Sequence, residues 1–547
     1  MTPAELSTLI RSVLLDAVDA GEVDLAADEV PLPKVERPRQ REHGDWATNV
    51  AMQLAKKAGT NPRALAETLA ARLNDADGVT AEVAGPGFLN LRVAASAAGE
   101  LARTIVEAGV EYGRNTSEDG HTINLEFISG NPTGPLHIGH TRWAALGDAL
   151  ARLLRASGAD VTTEYYINDA GSQTERFAAS ILARAKGEPV PEDGYPGEYV
   201  AERAADVLAS RSDLLELPED EALAYVRQAG TDAQMDAIRR TLESFGVHFD
   251  VWFSEKSLHD DGAVAKAVAR LEEQGHVFHD DGAVWLRTTD FGDDKDRVLV
   301  RANGEPTYLA ADAAYYLSKK DRGFTEKIYL LGADHHGYVA RLKALAACAG
   351  DDPDANIEVL IGQLVNIAGE RMGKRRGNAI FLDELIEWLG TDAIRYTLAR
   401  YPADSPLSLE GEKLREQNLD NPVYYVQYAH ARTCNVARNA AQHGVTRGDF
   451  DPATLDHETE SVLLAALGQF PGVVAHAARE REPHRVARYL ESLAAAYHTW
   501  YQQCRVTPRG EDPIEPVHRA RLMLNDATTQ VLANGLGLLG VTAPERM

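Results

Sequence analysis

The segment 122–167 limits the fold of this chain more than any other part of the sequence. Its first eight residues, TINLEFIS, alternate polar and apolar side chains as a half-buried strand does. The following GNPTGP cannot continue a strand, and apolar residues then recur at helical spacing, at Leu146, Leu150, Leu153 and Leu154. A second strand-like run, VTTEYYI, comes next. The segment therefore predicts one βαβ unit, which implies a parallel sheet.

Two histidines lie where the predicted helix begins. His137 and His140 are three residues apart, so on the first turn of a helix they face the same way. The unpaired N–H groups and the positive end of the dipole at a helix N-terminus attract anions. Gly139 removes a side chain where a flat or bulky ligand would approach the backbone. This turn is a candidate anion-binding and catalytic site.

Other nucleotide and metal motifs fit poorly. The GxGxxG fingerprint does not follow the predicted strand, and HExxH is missing. In GERMGKR, three residues separate Gly369 from Gly373 and Arg375 replaces the Ser or Thr of a P-loop. His335 and His336 are adjacent, so on a regular element they point in different directions and chelate poorly. We expect no zinc and no other protein-bound metal.

The length of 547 residues predicts several domains. Residues 1–115 alternate helical runs with short strand-like pieces, which indicates a small α/β domain. Residues 116–415 alternate strand-like and helix-like segments, and 185–290 is an acidic, helix-rich insertion. Residues 416–547 are helical, with one gap near 506–517. The predicted fold class is therefore α/β, with a parallel-sheet domain between a small α/β domain and an all-helical one.

The N-terminus and the cysteines favour a soluble protein of a reducing compartment. Thr2, Pro3 and Glu5 predict an N-cap, a first-turn proline and a capping-box partner instead of a secretory signal. No uncharged run is expected to approach the roughly 18 residues that span a membrane. The three cysteines lie far apart with no CxxC spacing. We expect a cytoplasmic protein that has no membrane contact.

The net charge of −27 argues against a surface that is basic throughout. Three short segments nevertheless carry clustered basic residues: 34–46, 371–378 and 479–488. Each segment is either a solvated face or part of a surface on which a polyanion docks.

Several motifs together resemble one known family. His137 to His140 read HIGH, the first signature of class I aminoacyl-tRNA synthetases, and RMGKR at 371–375 resembles a degenerate second signature, KMSKS. The wider text, including GNPTGPLHIGH, EYYINDAG, PTYLAADAAYYLSKK, GADHHGY and DNPVYYVQYAHAR, resembles the arginyl-tRNA synthetase family. The resemblance covers essentially the whole chain. It implies a Rossmann-like catalytic domain, an additional N-terminal domain that contacts the tRNA elbow, and a helical anticodon-binding domain.

The resemblance also implies the substrates and the catalytic residues. Arginine, ATP with Mg²⁺ and tRNA(Arg) would react through an arginyl-adenylate, in a monomer that needs bound tRNA before it activates arginine. His137, Gly139, His140 and Lys374 would be catalytic, and Pro135, Leu136 and Met372 would join them in binding ATP. Arg371, Gly373 and Arg375 depart from the family pattern, which leaves the roles of these positions open.

Arginine recognition would fall to carboxylates, because a carboxylate grips the planar guanidinium with two hydrogen bonds. By resemblance, Tyr308 and Asp312 lie on one helix face and bind the side chain. Asn131 would bind the α-amino or carboxylate end, and His335 or His336 occupies a region where relatives often carry a glutamine.

By the same resemblance, Arg37, Arg39 and Arg41 would contact the tRNA elbow. Tyr424, Tyr425 and Tyr428 either stack on anticodon bases or pack in a core.

Two alternatives remain open. One is another enzyme with a HIGH signature, such as a synthetase for cysteine, although the chain lacks zinc-ligand cysteines. The other is a non-catalytic RNA-binding paralogue, which the intact His137, Gly139, His140, Asp312 and Lys374 disfavour.

Overall fold

A computed structural model describes residues 1–38, 40, 43–363, 365–368 and 380–547, and gives only the backbone of residues 95, 334 and 336. Arg39, Arg41, Met372 and Lys374 lie outside the described residues, as do Arg371, Gly373 and Arg375. The same holds for the side chain of His336.

The N-terminal part is a helical layer on a small antiparallel sheet. Its strands have the order β1-β3-β2, and the helices bury Leu6, Ile10 and Leu69 against them. The predicted N-terminal cap is confirmed, because Thr2 and Glu5 form a capping box around Pro3. The elements are α1 (Pro3–Asp19), β1 (Trp46–Thr48), α2 (Val50–Leu54), α3 (Pro62–Asn74), β2 (Val79–Ala84) and β3 (Phe88–Val93). Helix α4 (Ala95–Ala108) then leads into the central sheet.

The central sheet has five parallel strands in the order β11-β10-β4-β5-β6. The strands are β4 (Thr122–Glu126), β5 (Asp160–Ile167), β6 (Val251–Ser254), β10 (Glu326–Gly332) and β11 (Ile357–Gly362). Helix α5 (Ile138–Ala156) crosses from β4 to β5, so the predicted βαβ unit is confirmed. From β4 the chain adds β5 and β6 on one side and later adds β10 and β11 on the other. This switch in strand order leaves a crevice at the carboxyl end of β4.

One sequence expectation about β4 is wrong. The alternation in TINLEFIS predicts that one face of the strand meets solvent, yet Asn124 and Glu126 are buried like their apolar neighbours. Crossover helices cover both faces of a parallel sheet, so polar residues on the second face are also enclosed. These residues need internal partners, which are described below.

Two groups of elements are inserted between the sheet strands. Helices α6 (Ser172–Lys186), α7 (Glu198–Ser210) and α8 (Glu219–Ser244) lie between β5 and β6. Between β6 and β10 the chain forms α9 (Glu255–Asp260), α10 (Ala263–Glu273), an antiparallel sheet of β7 (Val277–Asp280), β8 (Ala283–Leu286) and β9 (Arg297–Val300), and α11 (Tyr308–Asp321). Helix α12 (Val339–Cys348) connects β10 to β11.

The remainder of the chain is mostly helical. A two-stranded parallel pair, β12 (Val365–Ala368) and β13 (Leu407–Glu410), flanks α13 (Leu382–Leu389) and α14 (Thr391–Ala399). The C-terminal bundle follows, with α15 (Gly411–Leu414), α16 (Pro422–Gln442), α17 (Glu458–Gly468), α18 (Phe470–Arg479), α19 (His484–Gln503) and α20 (Pro516–Leu538). The predicted gap near 506–517 is confirmed by the break between α19 and α20.

Glu458–Arg479 is long and apolar enough, by length and composition, to cross a membrane. The expectation that no uncharged run approaches that length is therefore wrong. The run is two helices that meet at Gln469, and its Leu463, Leu467 and Phe470 are fully buried in the bundle. Their apolar character is that of core helices.

The segment around Leu539 contacts the helix that crosses the central sheet through Arg395. This fully buried side chain pairs with Asp148 on α5 and donates to the carbonyls of Phe245 (2.9 Å) and Leu539 (3.2 Å). Thr542 hydrogen-bonds Asp392 and Gln427 in the same region. A guanidinium that donates to these three partners joins α5, the end of α8, α14 and the segment around Leu539.

The basic segment 479–488 divides between interior and surface. Arg481 is only 8% exposed and pairs with Glu118 (2.9 Å), Glu326 (2.8 Å) and Glu358 (3.1 Å). It belongs to neither a solvated face nor a polyanion-docking surface, because its donors are consumed in joining the helical bundle to the sheet. Arg488 is exposed.

Candidate active site

A cleft of about 880 Å³ opens at the carboxyl ends of β4, β10 and β11. It brings together seven of the residues predicted from the sequence: Asn131, His137, Gly139, His140, Tyr308, Asp312 and His335. These residues come from the loop after β4, the start of α5, the start of α11 and the turn after β10. This is the crevice in which open α/β sheets bind ligands.

The two histidines form the N-terminal cap of α5. Nδ1 of His137 accepts from the backbone N–H of Gly139 (3.1 Å), and Nδ1 of His140 accepts from that of His137 (3.3 Å). The ring centroids are 3.9 Å apart. Since both Nδ1 atoms accept, the proton of each neutral ring is on Nε2. Each histidine therefore offers an Nε2–H donor beside the helix N-terminus.

Both histidines are neutral at physiological pH. Burial lowers the pKa of His140 to about 3, with a further contribution from His137, and burial also lowers the pKa of His137. They therefore act as hydrogen-bond donors and carry no positive charge. Such neutral N–H donors can stabilise substrate oxygens that gain negative charge during a reaction.

Gly139 has a reason for lacking a side chain that the sequence did not reveal. A Cβ at this position would lie 3.0 Å from Cε1 and 3.2 Å from Nδ1 of His137. The glycine therefore makes room for the His137 ring within the cap itself. Its predicted role in admitting adenosine stays a prediction.

The loop after β4 carries backbone strain. Ile128 and Ser129 have φ values of 69° and 44°, a region that costs free energy for residues other than glycine and especially for β-branched ones. Ser129 is held by two hydrogen bonds, donating to Glu126 (3.0 Å) and accepting from the backbone N–H of Tyr166 (3.1 Å). The next two residues, Gly130 and Asn131, line the cleft.

Asp312 is the predicted arginine ligand with the most unusual environment. Burial raises its pKa to about 6; the Tyr338 hydroxyl, which donates to it, and Arg341 oppose the rise, while Glu255 and Glu126 add to it. Across the part of the chain that the structure describes, no salt bridge joins Asp312 to a lysine or arginine. Tyr308, four residues earlier, is 78% exposed at the rim of the same cleft. The predicted shared helix face is confirmed by α11.

Sequence reasoning missed the charged floor beneath the cleft. Glu126 lines the cleft and accepts from Lys319 (2.6 Å), and the Tyr315 hydroxyl, whose one proton can go to either Glu126 or Glu164, lies 2.9 Å from it. Glu164, on β5, accepts from Asn124 (3.1 Å), Tyr315 (2.5 Å) and both terminal nitrogens of Arg322. The available signal was the placement of Glu126 and Glu164 in the middle of two neighbouring predicted strands.

Arg142, on α5, was also missed. It is buried and donates to the carbonyls of Gln363 (2.8 Å) and Pro402 (2.8 Å). Burial lowers its pKa to about 10, so it stays charged at neutral pH. It fixes the helix that carries His140 against the end of β11.

Other predicted residues lie outside this cleft. Pro135 and Leu136 line a neighbouring cavity together with α7 and α8, and Leu136 is buried. Arg37 lies in the N-terminal part, where it donates to the carbonyl of Val462 (3.3 Å). Tyr424 and Tyr428 are half-buried and stack on each other at 6.0 Å, with Arg432 over the Tyr428 ring. The structure does not bring Pro135 and Leu136 into the cleft with His137, and the predicted roles of all these residues stay predictions.

Comparison with known proteins defines the class. Residues 102–191 and 198–397 match the family model "tRNA synthetases class I (R), catalytic domain". Residues 4–93 match "Arginyl tRNA synthetase N terminal domain", and 426–547 match "DALR anticodon binding domain". A methionyl-tRNA synthetase structure from Mycobacterium tuberculosis shares the fold, with a TM-score of 0.56 at 15% identity over 77% of this chain and 91% of that one. The fold and the cleft are those of a class I tRNA synthetase, and the predicted fold class is confirmed.

Within that class the chain belongs to the arginyl-tRNA synthetase family. The curated "Arginine--tRNA ligase" of Pseudarthrobacter chlorophenolicus is 65% identical over 100% of both chains, and that of Paenarthrobacter aurescens is 64% identical over the same share. The structure "Thermus thermophilus arginyl-tRNA synthetase" gives a TM-score of 0.77 at 26% identity over 100% of both chains. The family predicted from the sequence motifs is confirmed.

Proposed function

We propose that this chain is an arginine–tRNA ligase that works through the cleft at the end of β4. It activates L-arginine with ATP to give arginyl-adenylate, releases pyrophosphate, and transfers the arginyl group to tRNA(Arg). The observation that carries the proposal is Asp312, a half-buried carboxylate that lines the cleft and has a pKa raised to about 6. A guanidinium is the cation whose planar donors match such a carboxylate.

The arginine end of the site is acidic and well shaped. Asp312 grips the guanidinium, with Tyr338 donating to the same carboxylate and fixing its rotamer. Glu126 and Glu255 add negative potential, which favours a cation over neutral analogues. Tyr308 packs along the substrate side chain, Asn131 binds the α-amino or carboxylate end, and His335 or His336 closes the remaining side. A site of this kind rejects analogues that leave its polar groups unpaired.

The nucleotide end of the site uses neutral donors at a helix N-terminus. The carboxylate of arginine is the nucleophile, so the protein aligns the groups and stabilises charge on the phosphates. His137 and His140 donate through Nε2 to phosphate oxygens, and Gly139 lies against the nucleotide. Pro135, Leu136, Met372 and Lys374 complete the ATP contacts in this proposal, and Lys374 neutralises the departing pyrophosphate.

Magnesium enters this proposal as part of the ATP complex. Among the described residues, no three or more His, Cys, Asp or Glu side chains are grouped so that they could hold a metal ion. In the proposal, the phosphates of the nucleotide hold Mg²⁺, which offsets their negative charge. The expectation that the protein binds no zinc stays a prediction.

We propose that tRNA spans the chain from one end to the other. Arg37, Arg39 and Arg41 contact its elbow, and the C-terminal bundle contacts its anticodon. The exposed parts of Tyr424 and Tyr428 would stack on unpaired bases. The enzyme works as a soluble monomer in the cytoplasm, where tRNA and ATP are available.

The deciding experiment is ATP–pyrophosphate exchange with each of the twenty amino acids, with and without bacterial total tRNA. We expect exchange with arginine alone, and only when tRNA is present. Exchange with another amino acid would reassign the substrate and void the roles of Tyr308 and Asp312. Folded protein without exchange under any condition would favour a non-catalytic RNA-binding role.

A variant tests the assignment of Asp312. Asp312→Ala should abolish discrimination for arginine and reduce kcat/KM for arginine about 100-fold or more, because an uncompensated substrate cation is left in a dry site. The KM for ATP should change little. Asp321→Ala, at the exposed end of the same helix, is the matched control. A normal arginine KM in Asp312→Ala would refute the assignment.

A further inference from the structure

Gln363 is a cleft residue whose backbone and side chain have different surroundings. It follows β11 directly and lines the cleft. Its backbone N–H donates to the carbonyl of Ala403 (3.0 Å), and its carbonyl accepts from Arg142 (2.8 Å). Both backbone groups are therefore occupied, and the side-chain carboxamide is the part of this residue that is left to meet a ligand.

The carboxamide of Gln363 is accessible from the cleft. The residue is half-buried, and neither polar atom of its side chain belongs to the sealed polar atoms of the described residues. Within the part of the chain that the structure describes, neither atom forms a hydrogen bond. The amide can therefore bond a ligand, to which it offers an acceptor and a donor side by side.

The position of Gln363 relative to the two histidines follows from Trp143. This tryptophan lies on α5 three residues after His140, on the same side of the helix, and it also lines the cleft. A Cβ on Gly362 would lie 1.8 Å from the Trp143 ring, so the ring packs directly on the backbone next to Gln363. Gln363 therefore lies at the end of the cleft that carries the histidines, which is the proposed nucleotide end.

A carboxamide is better suited to a nucleotide base than to phosphates. Phosphate oxygens only accept hydrogen bonds, whereas an amide both donates and accepts. The edge of adenine that carries N6 and N7 offers one donor beside one acceptor, and glutamine pairs with this edge through two hydrogen bonds. The same edge of guanine offers two acceptors, O6 and N7, so an amide oxygen there would face another acceptor. An amide at this place can therefore distinguish the two purines.

The cleft also provides apolar surface for a flat ring. Ile128, Trp143 and Leu330 line it and are at most 8% exposed. Sites for cofactors and other small molecules combine such surface with a few polar groups that fix the orientation of the ligand. For the base of a nucleotide bound at the histidine end, the carboxamide of Gln363 is such a polar group.

We infer that Gln363 is a specificity-determining residue that reads the base of ATP. Its Oε1 accepts from the 6-amino group of adenine, and its Nε2 donates to N7. The inference rests on the proposed function, because that function assigns the histidine end of the cleft to ATP. Arg142 and Ala403 fix the backbone of Gln363, so only the side chain has to be ordered when the base binds.

The test is isothermal titration of the full chain with magnesium ATP and with magnesium purine riboside triphosphate, which differs from ATP only by the missing 6-amino group. Neither arginine nor tRNA is added, so binding is measured without the reaction. We expect the wild type to bind ATP about tenfold more tightly than the analogue, because the analogue leaves the amide oxygen unpaired. Gln363→Leu should weaken ATP binding and reduce this ratio of affinities to about one. Gln363→Glu keeps the acceptor, so it should keep the ratio even if its charge weakens the binding of both nucleotides.

Gln417→Leu changes an exposed glutamine outside the cleft and is the matched control, which should keep the wild-type ratio. Equal wild-type affinities for the two nucleotides, including no measurable affinity for either, would overturn the inference, as would an undiminished ratio in Gln363→Leu. A ratio that falls in Gln363→Glu as far as in Gln363→Leu would also overturn it, because the side chain would then act by packing and not as an acceptor. Failure of the proposed function gives a different result: a ratio that is lost in Gln363→Leu and kept in Gln363→Glu, in a protein without arginine-dependent pyrophosphate exchange, would sustain the inference and refute the proposed reaction.

Discussion

Glu164 is fully buried and Asp312 is half-buried, and these two carboxylates near helix α11 have opposite surroundings. Burial raises the pKa of Glu164, yet Arg322, Lys319 and Tyr315 outweigh burial and hold that pKa below its ordinary value. Burial also raises the pKa of Asp312, and there the phenol of Tyr338 and the more distant Arg341 leave it at about 6. The floor of the cleft is neutralised by the chain itself. Asp312, in the wall of the cleft, has no salt bridge to a lysine or arginine among the described residues. A positively charged ligand could therefore neutralise it, as the proposed arginine site requires.

The largest expected change in stability comes from removing the buried cation that pairs with Glu126 beneath the cleft. Lys319→Met removes a fully buried cation and leaves Glu126 without its ion pair (2.6 Å), so the free energy of unfolding should fall by about 3–5 kcal/mol. Urea denaturation measures the change. Lys343→Met, which removes an exposed pair with Asp354, should cost less than about 1 kcal/mol. Equal costs for the two variants would show that the floor does not depend on its internal charges.

Neutralising Asp312 should raise the free energy of unfolding instead of lowering it. In the folded state Asp312 has a pKa of about 6 against an ordinary 3.8, so stability is lost as the pH rises through that window. Asp312→Asn should therefore stabilise the apo protein at pH 7.5 by about 1–3 kcal/mol, and the gain should shrink toward pH 5. Urea denaturation at the two pH values tests this. A destabilised Asp312→Asn at pH 7.5 would mean that Asp312 already has a cation.

The pH dependence of the KM for arginine should report the titration of Asp312. A protonated Asp312 cannot pair with a guanidinium, so the KM for arginine should be level above about pH 7 and about tenfold higher at pH 5. Steady-state kinetics between pH 5 and 8 give the profile, with the KM for ATP as the internal reference. A flat arginine profile would assign recognition to groups of lower pKa.

The smallest effect should follow from Tyr338→Phe. The phenol lowers the pKa of Asp312 by donating to it, so its removal should move the midpoint of the arginine profile to higher pH. At pH 8 the loss of one hydrogen bond should cost about 0.5–1.5 kcal/mol in arginine binding. The matched variant Tyr308→Phe keeps the ring and leaves Asp312 untouched, so its midpoint should not move. An unchanged midpoint in Tyr338→Phe would show that the Tyr338 hydroxyl does not influence the pKa of Asp312.

The sequence alone predicts the features of the fold and of the site that depend on local residue patterns. The βαβ unit, the capped helix at Thr2 and the placement of His137 and His140 on the first turn follow from periodicity and turn residues. The positions of Tyr308 and Asp312 on one helix face follow from their spacing once α11 is accepted. Resemblance then supplied the roles of these residues.

Contacts between distant segments could not be predicted in the same way. Glu126 looks like a solvent-facing residue because alternation says nothing of the helices that later cover the second face of the sheet. Its partner Lys319 is 193 positions away along the chain. Likewise, GHTRW in the sequence gives no sign that Arg142 holds the carbonyls of Gln363, just after β11, and Pro402, just after α14. Charged residues in strand interiors are the signal, but their partners come from the tertiary fold.

The contact between Arg395 and the tail around Leu539 has a consequence for how the enzyme is made. Arg395 also holds Asp148 on the helix of the two histidines, so the last part of the chain completes the support of that helix. On the ribosome, the catalytic region emerges long before the tail does. Its folding therefore finishes only after the segment around Leu539 has emerged. Partly synthesised or C-terminally truncated chains lack this support, and stalled translation products would not yet charge tRNA.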